Sequence, residues 1–363
     1  MKRREFVKRG TAGVAGAMSL GLVGCGAAMK KKEYTLWKEQ EHFIPRPKGT
    51  MPMRELGSTG MKLSKFGFGS HIRKDIISHQ YQREYLIREA HDLGINIFDV
   101  YDNELECYQY EPMGRYLEPI RKDIHISLSL KTYDGRTFEQ EFERYLRLFK
   151  TDYIDMVRTH AFSPDHERWA DHWEFAEKLF RYKEKGLVRA VGTPIHDKQD
   201  LDVVFDTYPM DYVLFPYNFY HNICWLGEKS DTFDTIPEML HKKGVGVMTM
   251  KAFAGDFLVR PFSVMSRDFV NDAEVRLSQA ALKYVINSEA DPDCTVTGMY
   301  SLAHVYENIG AFYNPAMSDE EKALLENIRK AAKYTAKNML PEHYKWLDNW
   351  AHTQSAKKPC LHA

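Results

Sequence analysis

Eight short β-rich runs recur along the chain, each followed by a stretch of helical character. This alternation limits the possible folds more than any other feature. The runs are LSKFGFGS (63–70), INIFDVY (95–101), DIHISLSLK (123–131), DYIDMVRTH (152–160), LVRAVGTP (187–194), DYVLFPYN (211–218), GVGVMTMK (244–251) and CTVTGMY (294–300). Three of the intervening segments end in glycine, at Gly94, Gly186 and Gly244. A glycine just past the last helical turn supplies the left-handed residue that ends a helix. Strand–helix units in series build a parallel sheet, and eight of them close it, so the fold class is α/β, a (β/α)8 TIM barrel. A length of 363 residues holds such a barrel of about 250 residues with extensions at both ends.

The extensions have their own signatures. MRELGSTGMKLS (53–64) carries turn chemistry in GSTG and reads as a hairpin before the barrel. Ser318, with Glu321 three residues on, opens a long helical pattern with a capping box, and this tail is expected to pack against the barrel. At the other end, MKRREFVKRG precedes the small, apolar run TAGVAGAMSLGLVGC. A basic segment followed by a short apolar one is an export signal. The Arg3-Arg4 pair resembles a twin-arginine motif, which exports folded proteins. LVGC resembles a lipobox, with Cys25 as the lipidated residue. The expected organisation is signal 1–24, linker 25–50, barrel 51–315 and helical tail 316–363. Residues 1–24 hold five cations and one anion, so losing them takes the formal charge from −1 to −5. Location in the cell envelope, with a lipid anchor as the membrane contact, follows as the expectation.

Charge and cysteine usage exclude several classes. Near-neutrality speaks against a nucleic-acid partner. The five cysteines (Cys25, Cys107, Cys224, Cys294 and Cys360) form no CxxC pair. His71, His160, His196 and His221 each follow a predicted strand, but no HxH or HExxH spacing occurs, and no metal is expected.

DYIDMVRTH poses the sharpest chemical question. Side chains alternate along a strand, so Arg158 and His160 share a face. The chemistry of such barrels lies at the C-terminal strand ends, where both residues fall. A buried guanidinium needs an anion, and the candidates are Asp99, Glu104 or a substrate carboxylate.

Taken in order, these segments resemble the aldo-keto reductase family over roughly residues 51–315. MRELGSTGMKLSKFGFGS resembles its opening hairpin and first strand. GINIFDVY resembles its second strand, and TDYIDMVRTH its Asp-Tyr-Ile-Asp segment with a following histidine. KEKGLVRAVGTP, DYVLFPYN, GVGVMTMKAFAG and GMYSLAHVYEN complete the series. The resemblance implies hydride transfer between a nicotinamide cofactor, NADP or NAD, and a small carbonyl or alcohol. It implies a catalytic set of Asp99, Tyr108, Lys131 and His160: the tyrosine as proton donor, the lysine lowering its pKa, Asp99 holding the lysine, and the histidine orienting the carbonyl. Tyr101 and Tyr110 are alternatives to Tyr108. Cofactor contacts are implied at Asn218, Gly255, Gly298, Glu307 and Asn308, with His71 and Arg158 as substrate contacts. Pro194 and Ile195 stand where the family clamps the nicotinamide with a Ser-Asn pair, and Leu214 replaces a Gln. None of these side chains can hydrogen-bond. Two other functions therefore accompany the oxidoreductase: a non-redox ligand-binding barrel using His71, Arg158, His160, His196, Tyr217 and Asn218, and a metal-dependent hydrolase or isomerase using the strand-end histidines.

Overall fold

A computed structural model describes residues 44–70, 80–101, 110–130, 136–159, 169–195, 209–219, 232–253 and 277–338. Residues from Arg46 onward belong to one compact unit. A two-stranded antiparallel hairpin, β1 (Met53–Glu55) with β2 (Lys62–Ser64), precedes eight parallel strands. These are β3 (Phe66–Gly69), β4 (Ile97–Tyr101), β5 (His125–Leu130), β6 (Ile154–Thr159), β7 (Val188–Pro194), β8 (Tyr212–Pro216), β9 (Gly246–Met250) and β10 (Cys294–Gly298). They pair in sequence order, and β10 returns to β3, closing the barrel.

The strands close because both of their faces are apolar. Outward-facing Phe68, Phe98, Val100, Ile126, Leu128, Val157, Val191, Val213 and Val247 meet the surrounding helices. Inward-facing Ile97, Met156, Ala190, Tyr212, Met248 and Cys294 fill the interior. Hairpin residues Leu56, Met61 and Leu63 pack into that same inner cluster and so close off the barrel interior. The run LSKFGFGS is therefore divided: Leu63 and Ser64 belong to the hairpin, and the first barrel strand begins at Phe66.

Helix termination follows the glycines. Gly94, Gly186 and Gly244 all have φ between 73° and 89°. Each donates its N–H back into the last helical turn, as Gly244 does to the His241 carbonyl at 2.9 Å. Helix Phe138–Phe149 ends the same way without a glycine, on Lys150 at φ 49°. Ser318 and Glu321 form the expected capping box at the start of helix Asp319–Asn338. Glu321 also accepts from Lys283 Nζ at 2.7 Å, a buried pair that docks this tail helix on helix Leu277–Ile286. Among the described residues, no helix is long and apolar enough to cross a membrane.

Candidate active site

The strand register places the site. Strands of such a barrel are staggered, so moving two strands round raises the level by two residues and side chains of alternate strands meet in one layer. Asp99 on β4 is opposite Ser127 and, through it, Met156. The residue two beyond Met156 is Arg158. The same step leads from Arg158 to Leu214 on β8, from Leu214 to Val296 on β10, and from Val296 back to Asp99. One layer of the interior thus holds Asp99, Arg158, Leu214 and Val296. Beneath it lie Ile97, Met156, Tyr212 and Cys294, all buried.

The polar half of this layer is tightly bonded. Arg158 donates from Nη1 to Asp99 Oδ1 at 2.6 Å and from Nη2 to Oδ2 at 3.0 Å. Ser127 Oγ, from the intervening strand, accepts from Arg158 Nη1 at 2.8 Å and donates to Asp99 Oδ1 at 2.7 Å. Arg158 is 2% exposed and Asp99 7%. A planar guanidinium on a carboxylate is the strong two-point form of ion pair. Burial alone would favour the neutral guanidine, but the Asp99 charge outweighs it and raises the Arg158 pKa further. The question raised by DYIDMVRTH has its answer here: of the three candidate anions, Asp99 pairs with Arg158.

Tyr212 completes the cluster. Gly192, opposite it on β7, has no side chain, and a Cβ there would lie 2.3 Å from the Tyr212 ring. The ring therefore occupies the space a side chain would take. Its hydroxyl is buried without a well-formed hydrogen bond, near enough to Arg158 and Ser127 for both to act on it. Burial drives its pKa well up, against the nearby Arg158 charge. Burial likewise pushes up the thiol of Cys294.

The implied site residues fall into two groups. Asp99, Arg158, Asn218, Gly298, Glu307 and Asn308 are described. Cys25, His71, Tyr108, Lys131, His160 and Gly255 lie outside the described residues, as do His196 and His221. Asn218 lies just beyond β8 and donates from Nδ2 to the Lys251 carbonyl at 3.1 Å, joining the ends of β8 and β9. Lys251 itself has φ 57°, a conformation unusual outside glycine and concentrated at functional sites. Asn308 is buried and donates to Thr297 Oγ1 at 3.3 Å. Glu307 lends its main-chain carbonyl to Gln279 at 3.0 Å. Gly298 ends β10 beneath the Tyr300 hydroxyl, which would lie 2.8 Å from an added Cβ. Ile195 and Leu214 are both 2% exposed and packed in apolar clusters. Among the described residues, no group of three or more His, Cys, Asp or Glu is placed to hold a metal ion.

Ser127, Gly192 and Tyr212 are members of this cluster that no motif singled out. The only hint in the sequence is the Ser127/Ser129 alternation of HISLSL, two small polar residues facing inward.

Helix Leu302–Tyr313 begins four residues after β10, capped by Ser301 Oγ accepting from the His304 N–H at 3.2 Å. Because it follows a strand's C-terminal end, its own N-terminus faces the barrel mouth. The positive end of its dipole lies there, where negative charge is favoured.

Comparison with known proteins agrees with this architecture. A family model described as "Aldo/keto reductase family" matches residues 67–330. L-galactose dehydrogenase of Arabidopsis thaliana is 24% identical over 289 residues, 71% of this chain and 87% of that protein. An aldo/keto reductase from Klebsiella pneumoniae, solved with NADP and acetate, superposes with a TM-score of 0.61 at 18% identity, covering 77% of this chain and 96% of the other. The holo form of an aldo-keto reductase from Bacillus halodurans gives 0.57 at 19% identity, with 77% and 96% coverage.

Proposed function

The chain belongs to the aldo/keto reductase family, and from that membership we propose that it transfers a hydride between NADP(H) or NAD(H) and a small carbonyl or alcohol substrate. The family and fold support NAD(P)-dependent oxidoreductase activity in general terms. The observation that carries the proposal for this chain is the closed eight-stranded barrel, matched by the family along residues 67–330; Asp99, which the resemblance has holding Lys131, is paired with Arg158 among the described residues.

The N-terminal turn of helix Leu302–Tyr313, with Gly298 before it, would hold the phosphate groups of the cofactor. Asn218, just beyond the end of β8, would lie on the nicotinamide side. When bound, the nicotinamide supplies or accepts the hydride. The protein's own part is the proton. By the resemblance, Tyr108 donates it to the carbonyl oxygen, and His160 orients that oxygen. A positioned general acid contributes about 10²–10⁴-fold. The N-terminal sequence supports a chain exported in folded form, anchored by lipid at Cys25, with residues 51–315 as barrel and 316–363 as tail. Export of the folded protein would let a cofactor be loaded before export and retained.

A second reading, a non-redox ligand-binding barrel, is favoured by one observation. Ile195 and Leu214, at positions of implied cofactor clamps, are buried in apolar packing and offer no hydrogen bond. One experiment separates the two. The protein is purified without added cofactor, denatured and assayed for released nicotinamide, and a native sample is titrated with each of NADPH, NADH, NADP and NAD. Stoichiometric release or tight binding supports the oxidoreductase. Neither release nor binding at millimolar cofactor supports the binding barrel.

A further inference from the structure

We infer that Tyr300 is a ligand-binding residue of the barrel mouth, its phenol hydroxyl donating to an oxygen of the bound molecule on a side where the strand ends carry no side chains. This rests on the oxidoreductase reading above. The oxygen is either a phosphate oxygen of the dinucleotide or the carbonyl oxygen of the substrate, and the test separates these sources.

Alternation along β10 carries the tyrosine inward. Cys294 and Val296 face the barrel interior, so Gly298 does as well. Met299 turns the other way and is 3% exposed, packed in the apolar cluster under the helices. Tyr300 therefore returns to the inner side, just beyond the end of the strand. Its place is explicit at Gly298. A Cβ there would lie 2.8 Å from the Tyr300 hydroxyl and 3.1 Å from the ring carbon that bears it. The hydroxyl thus stands where Gly298 has no side chain, one step nearer the mouth than the layer of Asp99, Arg158, Leu214 and Val296.

This place is kept for the phenol. Gly298 is not among the glycines with positive φ, so its backbone does not demand glycine. The three atoms nearest an added Cβ all belong to Tyr300. Glycine within a strand is destabilising and marks a site where another group approaches closely. The neighbouring strand end is bare too. Gly69 on β3 is opposite Gly298, and a Cβ on it would lie 2.7 Å from the Thr297 carbonyl carbon. The phenol is also anchored from behind. The Tyr300 N–H donates to His304 Nδ1 at 3.3 Å, and the two rings meet edge to face with centroids 6.1 Å apart.

A phenol O–H donates, and phosphate and carbonyl oxygens accept. The layer beneath it on this side is hydrocarbon, Leu214 and Val296, and a low local dielectric strengthens a hydrogen bond. The anchored ring has little side-chain freedom left to lose on binding. A ring that only covered Gly298 would serve as well without its oxygen, so Tyr300→Phe is the discriminating change.

The test uses the full chain purified in detergent. Dissociation constants for NADPH and NADH are measured by quenching of protein fluorescence, and KM by reduction of 4-nitrobenzaldehyde at saturating cofactor. Tyr300→Phe is expected to weaken one ligand by about tenfold. A raised cofactor dissociation constant assigns the oxygen to a phosphate. A raised KM with that constant unchanged assigns it to the substrate. Gly298→Ala is expected to match Tyr300→Phe, because its Cβ displaces the hydroxyl, and the double variant to be no weaker than either single change. Thermal unfolding checks that each variant is folded. A folded Tyr300→Phe with both constants within about twofold of the wild type overturns the inference and leaves the oxidoreductase reading standing. Effects of Gly298→Ala and Tyr300→Phe that add do the same. Where the wild type binds cofactor but does not reduce the aldehyde, the cofactor constant decides alone. A wild-type chain that binds neither cofactor and reduces no aldehyde overturns the oxidoreductase reading, and this inference falls with it.

Discussion

Asp155 and Asp99 are both buried aspartates held by arginine, yet they occupy different parts of the barrel and are held in different ways. Asp155, at the N-terminal end of β6, accepts from Arg121 at 2.9 Å, Arg189 at 3.0 Å, His125 at 3.2 Å and the Ile126 N–H at 3.0 Å. Its partners come from three segments and reach toward solvent; the Arg189 side chain is 44% exposed. Among the described residues, Asp99 has one arginine, itself buried, and one serine. The first arrangement is redundant, since losing one donor leaves three. The second is not. In such barrels the N-terminal end of the strands serves stability and the C-terminal end serves chemistry. Redundancy at one end and a single committed pair at the other fit that division.

The largest effect expected from breaking the comparison is at Asp99. Asp99→Asn removes the carboxylate that pairs with the buried Arg158, and urea denaturation should show a loss of about 3–5 kcal/mol. The double change Asp99→Asn with Arg158→Met should recover most of that loss. If the single change proves as mild as a surface substitution, the contrast between the two ends disappears.

Asp155→Asn should cost less, about 2–3 kcal/mol, because the exposed Arg189 is screened by water. It should also change the response to acid. Burial acts to raise the Asp155 pKa, but the His125 hydrogen bond, the Arg121 charge and the Ile126 N–H outweigh it and the pKa is lowered. A carboxyl with a depressed folded-state pKa contributes stability that is fully present above its unfolded value of about 3.9. That stability is lost as pH falls through the folded-state value. Urea midpoints measured from pH 6 downward should therefore fall more steeply in the wild type than in Asp155→Asn.

Gly192→Ala tests the packing beneath the Asp99 pair. The new Cβ would lie 2.3 Å from the Tyr212 ring, and a displaced ring in a close-packed interior should cost about 2 kcal/mol. Tyr212→Phe should be the mildest change. It removes a buried hydroxyl that lacks a good hydrogen bond, so stability should change by less than about 1 kcal/mol, and in the favourable direction. A larger loss would mean that the hydroxyl bonds to the Arg158 cluster after all.

How much of this was legible in the sequence depended on the range of the interaction. The barrel was legible because strand, helix and terminating glycine repeat locally, as at Gly94, Gly186 and Gly244. The Ser318–Glu321 cap was legible for the same reason. Lys150 was not, because nothing in its side chain announces a left-handed conformation. Nor was the break between Ser64 and Phe66, since no glycine or proline marks it while the chain passes from hairpin to barrel. Within the site, alternation was enough to turn Arg158 inward and to demand an anion, with Asp99 among three candidates. Choosing Asp99 needed the strand register, a property of residues 59 apart in the chain. Gly192 and Tyr212 were invisible for that same reason: each matters only through the strand beside it, and Ser127 showed only as one of two alternating serines.

The layer that unites Asp99 and Arg158 with Leu214 and Val296 gives the barrel a sense of direction. Ions stand on the β4–β6 side and hydrocarbon on the β8–β10 side, across a single cross-section. For any molecule approaching along the barrel axis this surface is a compass: turning the molecule by half a revolution exchanges charge for oil beneath each of its edges. The frame of the barrel thus carries a polarity across its axis as well as along it.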